Sequence, residues 1–150
     1  MKKNLTTATI VSLYNGLNGI LDIPELKIGF HDKFHLIRNR NILEPFFKDF
    51  EGVRNELILK YGEMIDEQSG EYSIINEEKY KEFIADITPI LNEEVSVKLH
   101  EIDVKSINDD RVEIPTIEAL FPILIDSTDD ESDDEIDNSI PKVNGEVIPQ

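Results

Sequence analysis

The sequence holds three histidines, and two of them, His31 and His35, share the segment HDKFH at 31–35. Residues four apart lie on one face of a helix, so two neighbouring turns bring both imidazoles within reach of a single ion. With Asp32 between them, the segment resembles the helical zinc-protease signature, in which the acidic residue is Glu and acts as general base. Asp is one methylene shorter and does not copy that geometry. The segment also lies near a helix start after Gly29, and a third ligand is missing unless the distant His100 folds in. The plainer expectation is a pair of surface histidines, with no metal and no cofactor. A metal-dependent hydrolase at His31 and His35 is the remotest of the alternatives.

Other chemistries have less to build on. RNRN at 38–41 offers Arg38 and Arg40 as an anion site, but in so acidic a chain internal pairing with Glu44 or nearby acids at helical spacing is the better expectation. YGEMIDEQSGEYSII at 61–75 gathers Asp66, Glu67 and Glu71 around Gly70. A calcium loop needs carboxyls at alternating positions closed by a bidentate Glu, and this spacing does not supply them. The segment therefore reads as a joint between scaffold elements. There is no Cys, hence no disulfide, thiolate site or cysteine nucleophile. Neither a Gly-x-Ser-x-Gly elbow nor a glycine-rich phosphate loop is present. Adjacent acids such as Glu93–Glu94 and Asp109–Asp110 fall at element ends, where solvation suffices.

A different kind of function is suggested by the run at 126–137. Asp129, Asp130, Glu131, Asp133, Asp134, Glu135 and Asp137 form a dense row of carboxylates, suited to a basic surface on a protein partner. Residues 126–150 hold nine acidic and one basic residue, almost half of the formal net charge of −17. A surface this negative repels phosphate backbones, so direct nucleic-acid binding is disfavoured. The stretch DSTDDESDDEIDNS has no aromatic and one aliphatic residue, too little apolar surface to offset its ordering entropy. A disordered acidic tail over 126–150 is expected, and a plain solubilising tail is the simpler account of it.

The elements that would position these residues follow from periodicity. At 150 residues with 39% hydrophobic content, the chain suits one domain with a real core. Leu5, Ile10, Leu13, Leu17 and Ile20 or Leu21 mark one face of a helix over 5–21, capped by Asn4 or Thr6 and stopped by DIP at 22–24. A longer helix over 30–61 carries Phe46, Phe50, Val53 and Leu57 on one face, with Pro45 expected to kink or break it near 41–45. Gly62 suits a left-handed C-cap. EMID and EYSII read as a hairpin turning at 68–70, and Asn76 as the N-cap of a third helix that reaches Leu91 and bends or ends at Pro89. EVSVKLHEIDV alternates as a half-buried strand that slips at His100–Glu101, and RVEIP at 111–115 reads as another strand. Thr116 is then expected to cap a last short helix whose Leu120, Phe121 and Leu124 reach the core.

In order, these features resemble a group of small uncharacterised proteins encoded by tailed bacteriophages and prophages. The segments that carry the resemblance are YNGLNGIL (14–21), KYGE (60–63), Asp66, Glu67, Gly70 and Tyr72 of the hairpin, PILNEEVSVKLHEIDV (89–104) and PTIEAL (115–120). It spans roughly residues 5–125. Pro45 and the acidic extension depart from the pattern. The resemblance implies a phage-encoded α+β domain and transfers no catalytic site.

The expected fold is α+β over 1–125, with an N-terminal helical hairpin packed with a third helix and one small antiparallel sheet. The expected function is that of a non-enzymatic bacteriophage protein acting through protein–protein contacts, as a minor virion component or assembly factor. The alternative is a host-directed inhibitor whose acidic surface occupies a basic nucleic-acid-binding site on a bacterial protein. Either places the chain in a virion or a bacterial cytoplasm, away from membranes, with a homo-oligomer open.

Overall fold

The computed structural model describes residues 2–126. The fold is α+β: helices α1 (Thr7–Leu21) and α2 (Phe30–Tyr61) pack as a hairpin, α3 (Glu77–Leu91) lies along α2, and short strands join in pairs. Ile10, Leu13, Leu17 and Ile20 of α1 are wholly buried, as their spacing on one helical face requires. They meet Leu36 and Leu43 of α2, together with Val97, Leu99, Ile102, Leu120 and Ile123 from the C-terminal third. Thr6 caps α1, its Oγ1 accepting from Thr9 N at 3.1 Å. Asn76 caps α3 by accepting from both Glu78 N and Lys79 N.

Leu5 and Thr6 belong to a strand rather than to the start of the helix. β1 (Lys2–Thr6) runs antiparallel to β4 (Glu94–Lys98), in a register that sets Leu5 opposite Val95. KKNLT carries little strand propensity of its own, and a partner ninety residues away supplies the pairing. Among the described residues the expected single sheet is instead three two-stranded ones. β2 (Glu63–Asp66) pairs antiparallel with β3 (Glu71–Ser73), and β5 (Ile102–Asp103) pairs parallel with β6 (Leu124–Ile125). The slip at His100–Glu101 is the gap that separates β4 from β5.

RVEIP is not a strand. Asp109 turns the chain there: its Oδ1 accepts from Arg111 N, and its main-chain oxygen accepts from Val112 N, so those donors are taken by a turn rather than a ladder. Ile114 already belongs to α4 (Ile114–Ala119), which has Glu113 at its N-cap and Pro115 in its first turn. Thr116 therefore lies inside the helix. Its Oγ1 is instead near α1, 3.8 Å from where a Cβ on Gly19 would stand. At Gly16 a Cβ would come within 2.8 Å of the Ala119 Cβ, so glycine is what lets α4 approach α1. Leu120 is buried and Leu124 packs on the core, but Phe121 points outward.

Neither proline breaks its helix. Pro45 removes an amide donor facing the carbonyl of Asn41, yet both residues are exposed, so water can satisfy the freed oxygen. Pro89 is accommodated in α3 in the same way, opposite exposed Ala85. Gly62 ends α2 in an extended conformation (φ −94°), not a left-handed one. Its glycine is required by crowding: a Cβ there would lie 2.5 Å from the Ile58 oxygen and 3.1 Å from the Ser73 oxygen.

Two polar residues help organise the interior. Asn39 is fully buried in α2. Asp109, expected to be merely solvated, is also buried. Its carboxylate accepts from Lys27 N (3.0 Å), Arg111 N (3.0 Å), Arg111 Nε (2.9 Å) and Arg111 Nη2 (2.7 Å). Arg111 Nη2 also donates to the Pro24 oxygen at 2.9 Å, so the α1–α2 connection is tied to residues 109–111. Those bonds, first the one from the Arg111 side chain and then that from the Lys27 amide, hold the Asp109 carboxyl well below its ordinary value of 3.8. A carboxyl depressed in the folded state contributes stability that is present above the unfolded pKa and lost as pH falls through the folded one. Acid titration of unfolding should therefore show a loss of stability setting in near pH 4 and continuing below it. Asp109→Asn should be less stable at neutral pH and show a shallower acid limb.

Candidate functional site

The first turns of α2 present His31, His35 and Asn39 at four-residue steps, one stripe along the helix. This stripe faces the gap between β4 and β5. There the buried Asn39 amide takes both main-chain groups of His100: Nδ2 donates to the His100 oxygen at 2.9 Å, and the His100 amide donates to Oδ1 at 2.8 Å. Two bonds to one residue fix its place. The His100 ring stacks on His35 with centroids 4.4 Å apart and planes 10° from parallel, and His31 meets His35 from 4.3 Å at 55°. The three histidines of the sequence thus stand in one row. Burial first, then the charges of His35 and Arg38, push His100 below its ordinary value.

His31, Asp32 and His35 each offer one ligand atom, and these atoms lie within 4.8 Å of one another. His35 Nδ1 is shut off from solvent and has no hydrogen-bond partner among the described residues. An open groove of about 510 Å³ continues from His100 between α2 and β4, with Arg38 and Lys98 on its walls and Ile42, Phe46 and Val97 between them. Arg38 lies over the Phe34 ring, 5.5 Å from its centroid. Glu44, one of the partners expected for the arginines, pairs with Lys48 at 3.1 Å instead.

At the other end of α2 the packing changes character. Thirty-two helical residues extend about 48 Å, against about 22 Å for the fifteen of α1, so α1 covers only part of α2. Beyond it, the end of α2, the β2–β3 hairpin and the start of α3 form an arm. Phe50, Tyr61 and Ile87 are buried apart from the main cluster, and Tyr61 Oη donates to Asp86 Oδ2 at 2.6 Å, tying α2 to α3. Val53, of the expected core face, is exposed. So are Leu59, Met64, Ile65, Ile75, Tyr80 and Ile84, six large apolar side chains on a structure of three short pieces.

The segment at 61–75 folds as the end of α2 and the β2–β3 hairpin, with its turn over 67–70. Gly70 takes φ +72° in the turn, Gly70 N donates to the Asp66 oxygen, and Asp66 Oδ1 accepts from Gln68 N. Asp66 thus serves its own turn. Asp129, Asp130, Glu131, Asp133, Asp134, Glu135 and Asp137 lie outside the described residues. Among those described, no helix is long and apolar enough to cross a membrane. Two polar features escaped the sequence, the Asn39–His100 bracket and the Asp109–Arg111 clamp. For the clamp a signal existed, since Asp-x-Arg lets the guanidinium fold back on a carboxylate that already caps a turn. Compared with known proteins, the chain matches no protein-family model, no curated protein and no solved structure.

Proposed function

We propose that the chain is a non-enzymatic protein that works through protein–protein contacts made by its arm. The observation that carries this reading is the exposure of Leu59, Met64, Ile65, Ile75, Tyr80 and Ile84 together on one projecting unit. Ile65 is the extra residue of a bulge between the Met64–Tyr72 and Asp66–Glu71 pairs, and both it and Met64 are exposed on the hairpin. A two-stranded hairpin is marginal alone, and apolar surface gathered in this way marks an interaction site. The resemblance of residues 5–125 to small phage and prophage proteins adds a setting, a minor virion component or an assembly factor. The acidic residues at 126–137 favour one further reading, capture of a basic nucleic-acid-binding surface on a bacterial protein.

Retention of partners from extracts of phage-infected bacteria separates these readings. A Met64→Ser, Ile65→Ser, Ile75→Ser variant should keep its fold, since all three positions are exposed, and lose a partner that the native chain holds at high salt. Tail-driven capture should instead collapse as ionic strength rises and survive the arm substitutions. A sedimenting dimer that the triple variant abolishes would identify the partner as a second copy of the chain. Retention of every high-salt partner by the triple variant would contradict the arm reading.

A further inference from the structure

We propose that His31, Asp32 and His35 bind one divalent transition-metal ion of the zinc class, with His100 stacked behind His35 to hold that ring in place. The donor set is two imidazoles and one carboxylate, a combination suited to zinc, cobalt or nickel and poor for calcium or magnesium, which prefer oxygen alone. Tetrahedral ligands with zinc–nitrogen bonds near 2 Å stand about 3.3 Å apart, whereas these atoms now span up to 4.8 Å. His31 is exposed on the first turn of α2, so side-chain rotation can close the gap without moving the backbone.

His35 is the least free of the three. Its ring stacks on that of His100, and Asn39 brackets His100 through both main-chain groups. The His35 ring is thus held by packing against a residue whose own place is fixed. Its Nδ1, enclosed and without a partner among the described residues, is a polar atom that ligation would satisfy.

The helix end itself opposes a cation, because the macrodipole is positive there. Asp32 supplies a negative charge at that point, and the formal net charge of −17 attracts cations from a distance. The arrangement also differs from the zinc-protease signature. There the carboxylate is kept free as a general base, whereas here it is one of the donors. Three ligands leave a fourth position for water or for a donor from another molecule. Binding at this site is independent of the arm, which lies at the opposite end of α2.

The test is a titration of the untagged full-length protein with zinc chloride against a chelating dye, repeated with cobalt(II) chloride and its visible absorption. The expected result is one zinc per chain, bound more tightly than about 10 µM. His31→Ala and His35→Ala should each weaken binding at least about 30-fold and remove the cobalt band, and His100→Ala should weaken it about 10-fold. Circular dichroism identifies variants that stay folded, and exposed His31 provides the variant least able to disturb the fold. Absence of saturable binding below about 100 µM would overturn the proposal, as would binding left unchanged by His31→Ala. In the latter case the metal sits elsewhere, on the acidic surface.

Discussion

Replacing Asn39 with Ala should lower the free energy of unfolding by about 3 kcal/mol, read from urea denaturation. The side chain is fully buried, and its amide matches a main-chain donor and acceptor of the same residue, His100. Truncation leaves both groups unpaired where the helix covers them, and each unsatisfied group costs about 1–3 kcal/mol. Loss of the side-chain volume adds a smaller packing term. Asn41 is the built-in control. It has the same chemistry two residues along but faces solvent, and Asn41→Ala should change stability by less than about 0.5 kcal/mol.

Leu17→Ala should have an effect of similar size for a different reason. Leu17 has no exposed surface and sits at the centre of the α1 face, between α2 and the C-terminal third. Burial of a leucine is worth about 2 kcal/mol by transfer alone, and the cavity left by a close-packed helix pair brings the total to about 3 kcal/mol. Leu59, also a leucine on a long helix, is more than half exposed, so Leu59→Ala should fall within about 0.5 kcal/mol of the native chain. Thermal midpoints of the two variants should therefore diverge.

The helices were legible in the sequence because their signals are local. Thr6 and Asn76 cap as their chemistry dictates, Ile10, Leu13, Leu17 and Ile20 of the α1 stripe are buried while Leu5 goes to β1, and α2 runs over the expected 30–61. What escaped depends on distant partners. Lys2–Thr6 becomes a strand only because Glu94–Lys98 lies beside it, and RVEIP stops being one because Asp109 captures its amides. The histidine row was half visible. HDKFH announces two rings on one face, but nothing near His100 says that Asn39 will draw it there. In RNRN the arginines attract attention as charges, while the structural role falls to the neutral residue between them. Val53 shows the same limit in reverse, because helical spacing marks a face without revealing where along a long helix the core ends.

That division of α2 into a packed half and an outlying half is the claim on which the proposed contact surface depends, and native-state hydrogen exchange of the full-length chain tests it most directly. Amides of α1, of the first half of α2 and of the β1–β4 pair should exchange only through global unfolding. Those of the hairpin, the end of α2 and the start of α3 should open at least about 2 kcal/mol below that limit. Uniform protection from Phe30 to Leu91, with the hairpin as slow as α1, would contradict it: the arm would then be part of the core, and its apolar side chains no surface for a partner.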